Sequence, residues 1–534
     1  MSRRHEIPAK PLPLKIESPN GAGRPNYIIF MPDQLRYDSL GCTADPALGI
    51  PIKTPNIDAF AARGNLFTNC FTQASVCSQS RCSMFTGTYA HVNGHRSLEN
   101  LIKPWEPNIF RSLKESGYHV ACLAPRGDTF APTVTELSVT EYGFLETPEY
   151  VPKFGKGGTE TDESIWGRLF YRGRRDADKA LDYDEAVVRS ALKWLDCPPK
   201  DKPWVLFMPL VFPHCPFQVE EPYFSMYDRE AVPAPVKTPK TGYEPRYMKR
   251  IRDTYGTERA TDEIWREVRA TYYGMISRLD EQFGRVIKKV DELNLWKDTV
   301  TMFFTDHGEY LGDHGLIEKW PSGLSDSLVH EPLIVGGAGI APGKVTAMTE
   351  MVDLVPTMLE MSGIPELYPH NGLSWVPLLC GQDRAQDKHK EYAFSEGGFL
   401  TSEEPLLEQS PFPYDLKAGL QHQDTELVGK AISLRNEKWT FIYRLYERSE
   451  LYSRADDPHE LHNLIDEPAH KTLAERLERA TFKWLLETAD VMPWVADPRF
   501  PEVDLKSPRE QMEERLKQCT QAAKEKDLVE YVCV

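Results

Sequence analysis

No stretch of this 534-residue chain offers the ~20 consecutive apolar residues that a bilayer-spanning helix needs, so a transmembrane protein is not expected. The opening residues Met1-Ser2-Arg3-Arg4-His5 and the proline-rich run to Pro25 carry basic side chains with no apolar segment behind them, which argues against a secretory signal. Cysteine is sparse. Ten residues form no Cys-x-x-Cys pair and no disulfide framework, and no asparagine sits in an Asn-x-Ser/Thr sequon. A reducing cytoplasm is therefore the expected setting, with no membrane partner. Internal repeats and basic tracts are missing too. With 63 Lys and Arg against 80 Asp and Glu, a formal charge of −17, a general nucleic-acid binder is not expected, and any anionic ligand requires a locally positive pocket in an acidic body.

The hydrophobic share of 41% over this length suffices for a large core, one big domain and a smaller one. Short apolar runs at Tyr27–Met31, Gly117–Leu123, Trp204–Phe212, Thr299–Phe304 and Leu333–Gly337 predict strands buried on both faces of a mostly parallel sheet. Ala186, Val187, Ala191, Leu192 and Leu195, and then Met275, Leu279, Phe283, Val286, Val290 and Leu293, recur at helical spacing and predict helices laid against that sheet. Residues 142–178 and 220–262, charged and aromatic without a period, read as loops forming a lid or wall over a site. Lys430–Arg435 and Lys438–Tyr443 alternate as an antiparallel hairpin does. Beyond Ser507 a charged helical tail presents a surface suited either to pairing subunits into a homo-oligomer or simply to water.

In open α/β sheets, ligands collect beyond the carboxyl ends of the strands. The first four runs lead into Pro32-Asp33-Gln34, Pro125-Arg126-Gly127-Asp128, Pro213-His214-Cys215-Pro216 and Thr305-Asp306-His307-Gly308. Asp33 is thereby placed where a catalytic carboxylate belongs. The small residues Ala74-Ser75-Val76 lead into Cys77-Ser78-Gln79-Ser80-Arg81, where a helix is expected to begin. Its free N–H groups, its dipole and Arg81, one turn beyond Cys77, together favour an anion. In the polar loop that follows, His91 and His95 read as scaffold, and Asn100 is placed within reach of the pocket.

The run Cys77-Ser78-Gln79-Ser80-Arg81, continued by Ser83-Met84-Phe85-Thr86-Gly87, resembles the sulfatase signature, and further matching segments follow in family order over residues 26–490. The resemblance implies an α/β, alkaline-phosphatase-like fold: a central mixed, mostly parallel sheet sandwiched by helices, with a smaller C-terminal α+β subdomain containing an antiparallel sheet. The chain then divides into a tail (1–25), a catalytic domain (26–390), a C-terminal subdomain (391–500) and a helical tail (501–534). In that family the cysteine is converted to formylglycine by a maturation enzyme, and the aldehyde hydrate attacks sulfur with one hydroxyl and expels sulfate with the other. By the same resemblance Asp33, Gln34, Cys77, Asp306 and His307 hold one divalent ion, Ca²⁺ with Mn²⁺ or Mg²⁺ as alternatives. Arg81, Arg126, His214 and Lys319 stabilise charge on a small anionic ester, which Asp128 and Asn100 contact. Two positions depart from the family pattern: Gln79 stands where proline is the norm, and Arg126 where many members carry lysine. The expected reaction is hydrolysis of a sulfate monoester. Asp33-Gln34 and Arg126 leave open a phosphonate monoester or phosphodiester hydrolase, and Gln79 leaves open an anion-binding relative that never matures.

Overall fold

A computed structural model of the chain describes residues 23–532 except 45–48, 50, 126–127, 146–162, 177–180, 237–240, 367, 382–384, 411, 413 and 493–497. Among the described residues, eight strands form the main sheet: β1 (Asn26–Asp33), β2 (Asn65–Phe67), β3 (His119–Cys122), β4 (Glu141–Tyr142), β5 (Trp204–Pro213), β6 (Thr299–Phe304), β7 (Leu333–Gly337) and β8 (Gly343–Val345). Their spatial order is β8-β2-β7-β6-β1-β5-β3-β4. The strands β6, β1, β5, β3 and β4 run parallel, β7 runs antiparallel to both of its neighbours, and β8 lies parallel to β2. The mixed, mostly parallel sheet is thus the one expected.

Because β1 lies at the centre, every one of its residues is buried, and the two faces feed two separate cores. Ile28 and Phe30 join helices α2 (Tyr183–Leu195) and α4 (Asp262–Glu292) through Val187, Leu279 and Phe283. The Phe30 and Phe283 rings meet edge to face at 5.1 Å. Tyr27, Ile29 and Met31 face the other way, towards α1 (Cys77–Thr86) and α5 (Leu354–Met361) through Phe85, Val355 and Met358. Each large apolar side chain removed from water in this way contributes ~2–3 kcal/mol against the entropy of ordering the chain. Helices on both faces leave the carboxyl ends of β1, β5 and β6 as the open edge, and the chemistry-bearing residues sit there.

The C-terminal part holds a four-stranded antiparallel sheet in sequence order, β9 (Ala393–Gly397), β10 (Ala431–Arg435), β11 (Trp439–Arg444) and β12 (Glu450–Ser453). Helix α6 (Asp415–Gln423) precedes β10 in the chain, and Leu434, Phe441 and Leu451 of the sheet pack with Leu477 and Trp484 of helix α7 (Lys471–Thr488). Two compact units divide between Val491 and Met492, and the second contains helix α8 (Pro508–Val532). Among the described residues, no helix is long and apolar enough to cross a membrane.

Two regions expected to be loops contain more order than their composition suggests. Within 220–262 the structure has helix α3 (Arg246–Tyr255), whose Tyr247, Met248, Ile251 and Tyr255 are buried at helical spacing while its basic residues dominate the composition. Within 142–178, Tyr171–Arg174 pairs in parallel with Phe217–Val219, and 146–162 and 177–180 lie outside the described residues.

Candidate active site

Parallel pairing of β1 with both β5 and β6 brings three strand ends side by side. Asp33 ends β1, Gln34 follows it, Asp306 and His307 follow β6, and His214 follows β5. Helix α1 opens on Cys77 and closes at Gly87, whose φ of 72° is the left-handed conformation glycine supplies at a helix C-terminus. The Cys77 thiol lies 3.1 Å from His307 Nε2 and 3.7 Å from Asp33 Oδ1. One donor atom from each of Asp33, Cys77, Asp306 and His307 falls within 4.8 Å of the others, and all four residues are buried. Residues up to 274 positions apart in sequence (Asp33 to His307) thus converge on one point, with residue 77 facing it.

A single guanidinium organises the acids. Arg81, fully buried, sends Nε to Asp306 Oδ2 at 2.7 Å, Nη2 to Asp33 Oδ2 at 2.9 Å and Nη1 to Asp128 Oδ1 at 3.0 Å. Since Arg81 takes Oδ2 of both aspartates, their Oδ1 atoms are left towards His307 Nε2, at 3.6 Å and 3.9 Å. His307 donates from Nδ1 to the carbonyl of Gly308 at 2.9 Å, so the lone pair of Nε2 faces the cluster. Burial, then Lys319, push its pKa down to about 4, which keeps the ring neutral and able to act as a ligand. Two carboxylates, a neutral imidazole and the Gln34 amide oxygen form an oxygen-rich donor set, and that chemistry fits a hard divalent ion.

On the other side of Cys77 stands Lys319. Its Nζ lies 3.3 Å from Cys77 Sγ, 2.8 Å from Gln34 Oε1, 3.0 Å from His214 Nε2 and 3.2 Å from Glu318 Oε1. Burial opposes its charge, but Cys77, Glu318 and Asp33 outweigh that and hold its pKa well above the ordinary lysine value. Burial and Lys319 also oppose charge on His214, while Asp33 and Cys77 favour it, and the balance raises its pKa. His214 Nδ1 donates to the carbonyl of Cys215 at 2.6 Å, so Nε2 accepts from the Lys319 ammonium. A proton on Nε2 and that hydrogen bond are mutually exclusive.

Not every expected residue points at the cluster. Asp128 meets Arg81, so it supports the arginine, and Arg81 itself spends its three nitrogens on carboxylates. Asn100 accepts from Ser97 Oγ at 2.8 Å through Oδ1 and from His95 Nδ1 at 2.7 Å through its carbonyl, contacts within its own turn. Arg126 lies outside the described residues. Four further residues belong to this arrangement, and sequence reasoning does not single them out. Glu309 accepts from Gln34 Nε2; Glu318 binds both Lys319 and Lys417 Nζ, the latter at 2.7 Å; and Tyr414 approaches Cys215 Sγ at 3.5 Å. Glu309 adjoins Asp306-His307-Gly308 and Glu318 precedes Lys319, so adjacency is the signal that could find them. Lys417 and Tyr414 belong to a distant segment and carried none.

A mixed sheet with helices on both faces, and buried acids gathered at its strand ends beside a helix N-terminus, defines an alkaline-phosphatase-like hydrolase. The sulfatase family model matches residues 25–364, and the chain belongs to the sulfatase family, an enzyme of the sulfuric ester hydrolase class. It is 26% identical over 517 residues to the multifunctional alkaline phosphatase superfamily protein PehA of Trinickia caryophylli, covering 88% of this chain and 96% of that one. It is 25% identical over 502 residues to the choline-sulfatase of Rhizobium meliloti (strain 1021), covering 88% of each. In structure it resembles the phosphonate monoester hydrolase of Agrobacterium radiobacter with a TM-score of 0.68 at 21% identity, covering 87% of this chain and 96% of that one.

Proposed function

We propose that the chain hydrolyses a sulfate monoester to alcohol and sulfate, with Cys77, matured to formylglycine, as the nucleophile. The observation that carries this reading is the meeting of Asp33, Asp306 and His307 on the side chain of residue 77 at a helix N-terminus. Asp33, Gln34, Asp306 and His307, together with residue 77, would hold the divalent ion, Ca²⁺ first and Mn²⁺ or Mg²⁺ next. Such an ion, when bound, neutralises charge on the ester and favours the ionised form of a neighbouring hydroxyl.

The chain's own groups do the rest. Arg81 keeps the two aspartates turned so that one oxygen of each stays on the cluster side. Lys319 and the free N–H groups of the first turn of α1 bind sulfuryl oxygens and stabilise charge as it develops. His214, once Lys319 turns to the substrate, takes up a proton at Nε2 and gives it to the departing alcohol. Burial of the cluster excludes competing water, which strengthens each of these interactions.

A second reading, hydrolysis of a phosphonate monoester or phosphodiester, draws support from the neutral Gln34 in the donor set and from the likeness to a phosphonate monoester hydrolase. The test is a rate comparison among p-nitrophenyl sulfate, p-nitrophenyl phenylphosphonate and bis(p-nitrophenyl) phosphate, using protein co-expressed with a formylglycine-generating enzyme. Mass spectrometry of the Cys77 peptide accompanies it. Preference for the sulfate with an aldehyde at 77 supports the first reading, and preference for either phosphorus ester the second. An unmodified cysteine with no turnover on any of the three leaves an anion-binding protein. Helix α8 supplies a surface for pairing two copies, which light scattering on the full chain and on a chain ending at Val491 distinguishes.

A further inference from the structure

A carboxamide has one end that can bind a cation and one that cannot, so Gln34 serves a metal ion only if its amide is held one way round. Its neighbours hold it. Lys319 Nζ, an ammonium with no lone pair, lies 2.8 Å from Oε1, so the oxygen must be on that side, and Glu309 Oε2 accepts from Nε2 on the other. Glu309 is itself fixed. Its Oε1 accepts from the backbone N–H of Leu311 at 2.9 Å and of Glu318 at 2.5 Å, which leaves Oε2 for Gln34, and the residue is wholly buried. The Gln34 backbone is equally constrained. At φ 65° it sits in the left-handed region, with its N–H donating to Asp306 Oδ1 at 3.2 Å and its carbonyl accepting from Tyr272 Oη at 2.8 Å. A conformation that unfavourable for a non-glycine residue persists only where its surroundings over-determine it.

We propose that Glu309 is the positioning residue that makes Gln34 a cation ligand. It takes the Nε2 end of the amide and so turns Oε1 to Lys319 Nζ, which itself lies 3.3 Å from the Cys77 thiol on which the cluster converges. The inference rests on the metal-centre reading above and adds to it how a neutral amide is kept oxygen-first.

The test is calorimetric titration of the chelator-treated full chain with Ca²⁺ and, in parallel, with Mn²⁺. The variants are Glu309→Gln and the swapped pair Gln34→Glu/Glu309→Gln, each checked for folding by thermal unfolding without metal. Glu309→Gln sets an amide nitrogen against Gln34 Nε2, so one amide must turn, and ion affinity falls ~10–100-fold, the usual effect of losing a partner behind a ligand. The swapped pair restores an acid against an amide, now with the acid at the ligand position, and returns most of the lost affinity. A merely structural Glu309 would not be rescued by changing residue 34. An unchanged affinity in Glu309→Gln, or a swapped pair no tighter than Glu309→Gln, overturns the proposal while leaving the metal centre standing. A wild-type chain that binds neither ion overturns both. Should Glu309→Gln fail to fold, the swapped pair decides alone: folded and binding like wild type supports the pairing, and folded with weak binding, or unfolded as well, overturns it.

Discussion

Replacing Arg81 by methionine asks whether one guanidinium holds the cluster's acids in place. The arginine is fully buried, and its three nitrogens lie 2.7, 2.9 and 3.0 Å from carboxylates of Asp306, Asp33 and Asp128. Removing one partner of a buried ion pair costs ~3–5 kcal/mol, because the charge left behind has neither water nor a counter-charge. Here Asp33 and Asp306, both fully buried, lose the same cation, and the part-exposed Asp128 loses it as well. Methionine fills most of the vacated volume, so the cavity contribution stays small and the loss reports charge. Arg81→Lys keeps the charge but gathers it at one point, and an ammonium cannot reach three divergent carboxylates as a planar fork does, so its loss should be intermediate. Addition of Ca²⁺ should recover part of the Arg81→Met deficit, since a divalent ion beside Asp33 and Asp306 replaces the missing positive charge. The assay is urea unfolding of the full chain followed by tryptophan fluorescence, with chelator and with Ca²⁺. An Arg81→Met midpoint matching wild type in chelator, within the ~0.5 kcal/mol of an ordinary surface change, would refute the reasoning, and so would a deficit that Ca²⁺ leaves untouched.

Glu331 is wholly buried with neither side-chain oxygen hydrogen-bonded among the described residues, and burial, then Asp306, push its pKa well up. The folded chain therefore holds that proton more tightly than the unfolded one, and the group's unfavourable contribution grows as pH rises above the unfolded value near ~4.3, by up to ~1.4 kcal/mol per pH unit. Glu331→Gln should accordingly stabilise the protein at pH 8, less so at pH 5, in denaturant midpoints taken across that range. Lys319→Ala should lower kcat on an aryl sulfate by ~10²–10³-fold, the cost of one oxyanion donor, with residue 77 verified as matured by mass spectrometry. Gln79→Pro should fold normally, because the first intrahelical bond of α1 is Ser80 N–H to Val76 and position 79 lies before it, where proline costs no helix bond. Peptide mass spectrometry after co-expression should then show a larger aldehyde fraction at residue 77 than in wild type, and an unchanged fraction would show that Gln79 does not limit maturation.

The sheet was legible because its strands are buried on both faces. Ile28 and Phe30 serve one core, Ile29 and Met31 the other, so β1 reads as an unbroken apolar run with acids where it ends. Helix α3 was hidden by the opposite circumstance: Pro245 precedes it, charges crowd its outer face, and only Tyr247, Met248, Ile251 and Tyr255 mark the buried stripe. At the site, Asp33, Asp306 and His307 could be read one by one, since each follows a strand. The pairings could not. That Glu309 meets the Gln34 amide depends on the register of β1 against β6, and that Asp128 turns to Arg81 depends on how α1 lies against the end of β3; nothing local in these segments reports either.

The charge arrangement resolves an apparent conflict between an acidic body and an anionic substrate. On one side of residue 77, the carboxylates of Asp33, Asp306 and Asp128 meet at the Arg81 guanidinium, and Asp33 and Asp306 with His307 give that half of the cluster donors suited to a divalent ion. On the other side, Lys319 and Lys417 bracket Glu318, while the Glu309 carboxylate is turned away to Gln34 and two backbone N–H groups. The face that Lys319 shows to residue 77 and His214 is therefore positive, at 3.3 and 3.0 Å, although the chain carries a net charge of −17. Buried charges a few ångströms apart dominate over the screened surface charge, because the dielectric around them is low and the Debye length in physiological salt is only ~8 Å. It follows that added salt should change the KM for a sulfate ester only weakly, whereas neutralising Lys417 should raise it, through the freed Glu318 carboxylate drawing Lys319 away from the substrate.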